Sequence, residues 1–145
     1  MRAHTGNTSI ELQKLTVSNQ RIICDLFIPK RILAFSNEVF AQALLLERPK
    51  LALHKCKNSN GDMLTDTINH TSLAHIFEHI VIDLQVESAP QDSTFAFLGT
   101  TEWTSNDHTH AQVQCNFQDD ILAISACKDA LALLNKLVTE CEHYR

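Results

Sequence analysis

Glycine and proline are scarce, three of each in 145 residues, which leaves little room for flexible linkers. Basic runs are absent beyond Pro29-Lys30-Arg31, and 17 acidic residues against 12 basic give a formal charge of −5. Nucleic acid is therefore not an expected partner. No apolar segment approaches the roughly 20 residues that a membrane span needs, and no membrane partner is expected. The first residues, Met-Arg-Ala-His-Thr-Gly-Asn-Thr, lack the apolar core of a signal peptide, and a cytoplasmic location is expected. Cys-x-x-Cys is missing too. Cys24, Cys56, Cys115, Cys127 and Cys141 are odd in number and widely spaced, which favours reduced thiols over a disulfide framework. There is no internal repeat and no low-complexity segment. What is present is an ordinary 44% apolar content, enough for one domain with its own core over residues 1–145. Residues 1–8 and 139–145 are expected to be loose tails.

Read in order, Ser9–Val17 alternates apolar and polar residues, Ser18-Asn19 signals a turn, and Gln20–Ile28 is rich in β-branched residues, so a hairpin is predicted. Pro29 stops its second strand. Ser36 is placed as the N-cap of a helix over Val39–Glu47, with Phe40, Ala43, Leu44 and Leu33 facing the core and Pro49 ending it. Leu45 and Leu46 widen that apolar arc, which suits either core burial or a homodimer contact. Leu51–Cys56 reads as extended, with His54 and Cys56 on one side. Asn58–Gly61 is a polar turn and Met63–Ile68 a short helix. Thr94–Leu98 is predicted as a strand broken by Gly99, and Ser105–His110 as a polar turn whose histidines are exposed. Ala111–Phe117 alternates as a half-buried strand antiparallel to the one before it. Asp119 or Asp120 caps a final helix to about Glu140, with Ile121, Leu122, Ala126, Ala130, Leu133, Leu134 and Leu137 at helical spacing. The fold class is α+β, an antiparallel sheet of two hairpins with helices packed on one face, in the order β-β-α-α-β-β-α.

The informative stretch is Thr71–Gln85, predicted as one helix capped by Thr71. Ile76, Phe77, Ile80, Val81 and Leu84 share an apolar arc, with Leu73 at its edge. His75, Glu78, His79 and Asp83 occupy the opposite arc, interrupted by Ile82. Two histidines at i and i+4 can reach one metal ion, and Glu78 beside them can take a proton from a metal-bound water. The spelling His-x-x-Glu-His is the inverted zinc-peptidase signature. Polar helix faces are more often simply solvated. Here, however, no Lys or Arg occurs from His70 to Gln85, and Ile82 within the polar arc suits a half-buried cleft.

Taken together, Arg48-Pro-Lys-Leu51, His54-Lys-Cys56, Gly61-Asp-Met-Leu64, His75-Ile-Phe-Glu78-His79-Ile-Val-Ile-Asp83-Leu-Gln85 and Leu98-Gly-Thr-Thr101 resemble the N-terminal domain of cyanophycin synthetases, from about residue 48 to residue 138. In some members that domain resembles a small zinc metallopeptidase that cuts cyanophycin, an aspartate polymer bearing arginine. The resemblance implies His75 and His79 as ligands of zinc or another divalent metal, and Glu78 as catalytic base. It places Asp83 where the family has a glutamate, as third ligand or as an acceptor that orients an imidazole. His54 and Cys56 match the family's His-Cys pair. The synthetases continue into ATP-using ligase domains that this sequence lacks, so polymer synthesis is not expected of it. Their basic Gly-Arg-Thr-Arg is here Gly99-Thr-Thr-Glu102, so cyanophycin is not carried over as the substrate.

The expected activity is zinc-dependent hydrolysis of a peptide or isopeptide bond in a peptide or small-molecule substrate. The third ligand is open among Asp83, Glu102 and Cys56, in that order. Side chains at i, i+4 and i+8 drift around a helix by about 80°, which also suits Asp83 to a supporting role. The rival expectation is a non-catalytic binding or assembly module on the same fold. A structural dimer whose histidines only hydrogen-bond is the third.

Overall fold

A computed structural model describes residues 9–29, 33–58 and 61–141. The elements in chain order are β1 (Glu11–Ser18), β2 (Arg21–Phe27), α1 (Glu38–Glu47), β3 (Lys55–Asn58), β4 (Gly61–Met63), α2 (Leu73–Ser88), β5 (Gly99–Trp103), β6 (His110–Asn116) and α3 (Asp120–Cys141). Apart from the small β3–β4 ribbon, this is the predicted α+β order. The main sheet has four strands in the order β1-β2-β6-β5, and every pairing is antiparallel. The β1–β2 turn is tight: Asn19 and Gln20 have φ of 48° and 63°, the left-handed pair that matches the twist of a two-residue hairpin.

Register explains the core. Ile22, Cys24 and Leu26 of β2 stand opposite Cys115, Val113 and Ala111 of β6, and all six are buried. Side chains alternate along a strand, so these six share one face of the sheet. On that face α2 packs over β5 and β6, α3 lies against β1 and β2, and the two helices pack on each other. The apolar arc of α2 is fully buried at Leu73, Ile76, Phe77, Ile80 and Val81. Truncating the Phe77 ring to alanine would cost about 3–5 kcal/mol. The other face of the sheet is polar, with Gln112 donating to Asp25 and Arg21 to Gln114.

Several local expectations are corrected. Asn37, not Ser36, caps α1 by accepting from the Phe40 amide at 2.8 Å. The Ser36 hydroxyl instead ties Ile68 to Thr71, donating to the Ile68 carbonyl at 2.7 Å and accepting from the Thr71 amide at 3.0 Å. Ser72, not Thr71, caps α2 by accepting from the His75 amide at 3.0 Å. Of Leu51–Cys56, expected to be extended, Leu51–Leu53 falls in a 3₁₀ turn over Pro49–Leu53 while Lys55 and Cys56 are strand, and the expected helix at Met63–Ile68 is two 3₁₀ turns, Leu64–Asp66 and Ile68–His70. Thr94–Leu98 is not a strand; the ladder begins at Gly99. Leu46, Ile121 and Leu122 are exposed. Asp119 accepts from the Leu122 amide and so caps α3. That helix runs to Cys141 with Val138 and Cys141 buried, so residues 139–141 are not loose. Residues 1–8 and 142–145 lie outside the described residues. All five cysteines are thiols. Among the described residues no helix is long and apolar enough to cross a membrane.

Candidate metal centre

The polar arc of α2 forms the floor of an open groove of about 800 Å³. Lys55 and Cys56 of β3 border one side, and the run from Phe97 to Trp103, including β5, borders the other. His75, Glu78 and His79 line it as expected. The sheet face explains why β5 matters: Gly99, Thr101 and Trp103 stand opposite Cys115, Val113 and Ala111, so the Thr101 and Trp103 side chains and the bare Cα of Gly99 face α2.

Within the groove, the Nε2 atoms of His75 and His79 stand 3.1 Å apart, with the rings nearly perpendicular at 74°. One donor atom each from Cys56, His75 and His79 lies within 4.8 Å of the other two. Each imidazole is held from behind. The Thr71 hydroxyl is 2.9 Å from His75 Nδ1, and His54 Nδ1 is 2.9 Å from His79 Nδ1. One proton assignment satisfies both contacts behind the rings and leaves the Nε2–Nε2 contact for a cation. His75 Nδ1–H donates to Thr71, and His79 Nδ1–H donates to His54, whose own proton then sits on Nε2. It leaves two Nε2 lone pairs facing each other. Two nitrogens bound to one tetrahedral zinc stand about 3.3–3.4 Å apart, close to what is seen. A shared proton would also bridge them. A proton needs only two acceptors, whereas a divalent ion also uses the Cys56 sulfur. The donor set of one thiol and two imidazoles therefore fits zinc.

Desolvation sets the charge state. Burial pushes the His79 pKa down to about 3, helped by the neighbouring His75 and His54, and lowers that of His75 as well. Both rings are thus kept neutral, the form that coordinates a metal. Burial raises the Glu78 carboxyl above its ordinary range, although the Thr101 hydroxyl donates to Oε1 at 2.6 Å and His54 opposes the shift. Glu78 also explains Gly99. A Cβ there would stand 2.8 Å from Glu78 Cγ and 3.0 Å from both Oε2 and the Gln114 carbonyl. Only glycine lets this carboxylate lie flat against β5.

The three candidates for third ligand part company. Cys56 is in the cluster. Asp83 is buried but lies outside it: Arg48 grips its Oδ2 at 2.7 Å, and its Oδ1 faces His54 Nε2 at 3.7 Å. Burial pushes the Asp83 pKa up, but His54 and the Arg48 guanidinium outweigh it and hold the carboxyl below its ordinary range. Glu102 is exposed and alternates to the far face of β5. His54 and Cys56 do reach the same site, as their spacing implied. His108 and His110 do not; His108 stacks on Trp103 at 4.5 Å and is half-buried rather than exposed.

Four groups carry no sequence signal for the place they take at this site. Arg48 comes from the end of α1, and no helical spacing connects it to Asp83. Thr71 was assigned as a cap. Gly99 and Thr101 were visible only as the Gly-x-Thr of the family resemblance. With the geometry in place, a family model described as the cyanophycin synthase-like N-terminal domain matches residues 22–139. No curated protein matches the chain.

Proposed function

The chain belongs to the family of cyanophycin synthase-like N-terminal domains, and from that premise we propose that it is a metal-dependent hydrolase of the peptidase type, acting on a peptide or isopeptide bond. The observation that carries this reading is the pair of facing Nε2 atoms, 3.1 Å apart, sharing a cluster with the Cys56 thiol on the floor of an open groove. Cys56, His75 and His79 would hold the ion, with zinc the best fit. A bound divalent ion supplies Lewis-acid chemistry, lowering the pKa of water to about 7 and polarising a carbonyl.

The remaining work belongs to the chain. Glu78 is the general base. Its Oε1 is occupied by the Thr101 hydroxyl, so Oε2 takes the proton. Its raised pKa brings its basicity nearer to neutral pH, where a general base is most effective. Thr71 and His54 fix the rings of His75 and His79 from their Nδ1 sides. Asp83, anchored by Arg48, acts through His54 rather than on the ion: it favours the His54 tautomer with the proton on Nε2, leaving Nδ1 to accept from His79.

Purification without a histidine tag, metal analysis, and a panel of peptides and isopeptides test this. Wild type should carry one zinc per chain and cut panel members, His75→Ala should lose the zinc, and Glu78→Gln should keep zinc and lose activity. Substoichiometric zinc that His75→Ala leaves unchanged would remove the metal site. Hydrolysis that survives Glu78→Gln would remove the base. Bound zinc with no hydrolysis across the panel would favour the binding module instead.

A further inference from the structure

The two edges of the main sheet are unlike. At one edge β1 carries a register break between Leu12 and Lys14, with an exposed lysine inside the strand. Bulges and lysines of this kind keep an edge from pairing with another chain. The other edge, β5, has an unbroken register and no lysine or proline. Its one charged side chain, Glu102, alternates away from α2.

Hydrogen-bond phase decides which backbone groups of β5 are left over. The Asn116 amide donates to the Leu98 carbonyl, and the Thr104 amide donates to the His110 carbonyl. With the register of this pair, Thr100 and Glu102 therefore bond to β6. The amides and carbonyls of Gly99, Thr101 and Trp103 point outward from the sheet. The side chains of Thr101 and Trp103 face α2, so this edge, unpaired among the described residues, borders the groove that holds His75, Glu78 and Cys56. Two donor–acceptor pairs flanked by a third, in strand register, are complemented by one kind of ligand: another extended main chain.

We propose that the outer edge of β5 binds a peptide as an added strand, so that the substrate is an extended α-linked polypeptide segment rather than an isopeptide or a small amide. Pairing at Gly99, Thr101 and Trp103 would lay the peptide along the groove, above Glu78 and the donor cluster. This inference rests on the hydrolase reading for its consequence, although binding can be measured apart from cleavage.

The test uses the full chain, zinc-loaded and carrying Glu78→Gln so that nothing is cut. The probes are capped α-peptides of about six residues, long enough to span β5, with side-chain-linked isopeptides of equal length beside them. Amide exchange is followed by NMR. In the free protein the Thr101 and Trp103 amides should exchange much faster than those of Thr100 and Glu102, and a bound α-peptide should slow them selectively. N-methylation of the peptide amides in one alternating register should weaken binding about tenfold or more, and the same methylation shifted by one residue should not. No binding by α-peptides, binding that leaves Thr101 and Trp103 exchange unchanged, equal sensitivity to both methylation registers, or preference for isopeptides would each overturn the proposal. The two readings fail separately. Peptides that pair with β5 but are never cut by wild type would sink the hydrolase alone, and cleavage without protection of β5 would sink only the added strand.

Discussion

Glu78 and Asp83 are two buried carboxylates on one helix, five residues apart, with opposite electrostatic fates. Asp83 meets a guanidinium and an imidazole that hold it ionised. Glu78 is covered by β5 and receives one neutral hydroxyl, so burial dominates and its proton affinity rises. Depth alone does not set the charge of a buried acid; the partner does. The acid without a charged hydrogen-bond partner is the one proposed as base, and the acid paired with Arg48 faces His54 behind the donor cluster. His75, Glu78, His79 and Asp83, to which the proposed function gives coordinating, catalytic and bracing roles, share one helical face but draw their partners from other segments.

The sharpest way to break this contrast is to neutralise each acid in turn. Glu78→Gln should lower hydrolysis by about 10²–10⁴-fold, while removing a charge that folding penalises. Its denaturation midpoint at neutral pH should equal or exceed that of wild type. Asp83→Asn should do the reverse, lowering the midpoint because Arg48 loses its buried counter-charge and keeps only the exposed Glu87. A lower midpoint for Glu78→Gln would show that its carboxylate is stabilised and the contrast is wrong.

Removing the cation should be nearly as severe. Arg48→Met leaves Asp83 buried without its closest partner, at a cost of about 3 kcal/mol, read as a shift in urea midpoint. Adding Asp83→Asn should recover part of that loss, since the orphaned charge is then gone. Independent, additive losses would mean that the pair is not coupled.

A smaller effect is expected at Gly99→Ala, where the new methyl group meets Glu78 and the Gln114 carbonyl. Overpacking of this kind costs about 1–3 kcal/mol. Because the Glu78 carboxylate must move, hydrolysis should fall while zinc content stays at the wild-type level. Full activity in Gly99→Ala would show that the close fit of Glu78 to β5 is not needed.

The smallest and broadest effect is on pH. In metal-free protein His79 has its folded pKa pushed down to about 3 from 6.5. A depressed histidine is bound neutral in the fold, so its contribution is complete above 6.5 and is lost as pH falls toward 3. Asp83, with its pKa below 3.8, adds stability above that value and loses it as pH falls through its folded pKa. Glu78 runs the other way: its penalty applies above its raised pKa and is relieved below it. Stability should therefore decline from about pH 6.5 downward, and the decline should be shallower in His79→Gln. An unchanged profile in that variant would remove the neutral buried imidazole.

Much of the frame was legible because periodicity reports burial. The β-branched richness of Gln20–Ile28 and the alternation in Ala111–Phe117 marked both central strands, and the apolar arc of Leu73–Val81 marked the core side of the central helix. His75, Glu78 and His79 were legible for the same reason, since helical spacing alone puts them together. Failures came where a residue answers to something distant. Thr94–Leu98 looks like a strand by its apolar content, yet Phe95 and Leu98 are exposed, and pairing begins at a glycine chosen by Glu78. Ile121 and Leu122 are exposed because they lie off the buried stripe of α3, which runs through Ala123, Ala126, Cys127 and Ala130. Asp83 follows His79 at helical spacing, but Arg48, far away in the chain, decides where its oxygens point. Cys56 ranked last as third ligand because a lone thiol has no spacing signal; only the path of β3 brings it to the histidines.

The central claim is that Cys56, His75 and His79 hold one divalent ion and that Asp83 does not touch it. X-ray absorption at the zinc edge of the zinc-loaded chain tests it directly. The account predicts one sulfur at about 2.3 Å and two imidazole nitrogens at about 2.0–2.1 Å, with the sulfur signal lost in Cys56→Ser and the wild-type spectrum kept in Asp83→Asn. A wild-type spectrum without sulfur, or one that changes its ligand set in Asp83→Asn, would contradict it.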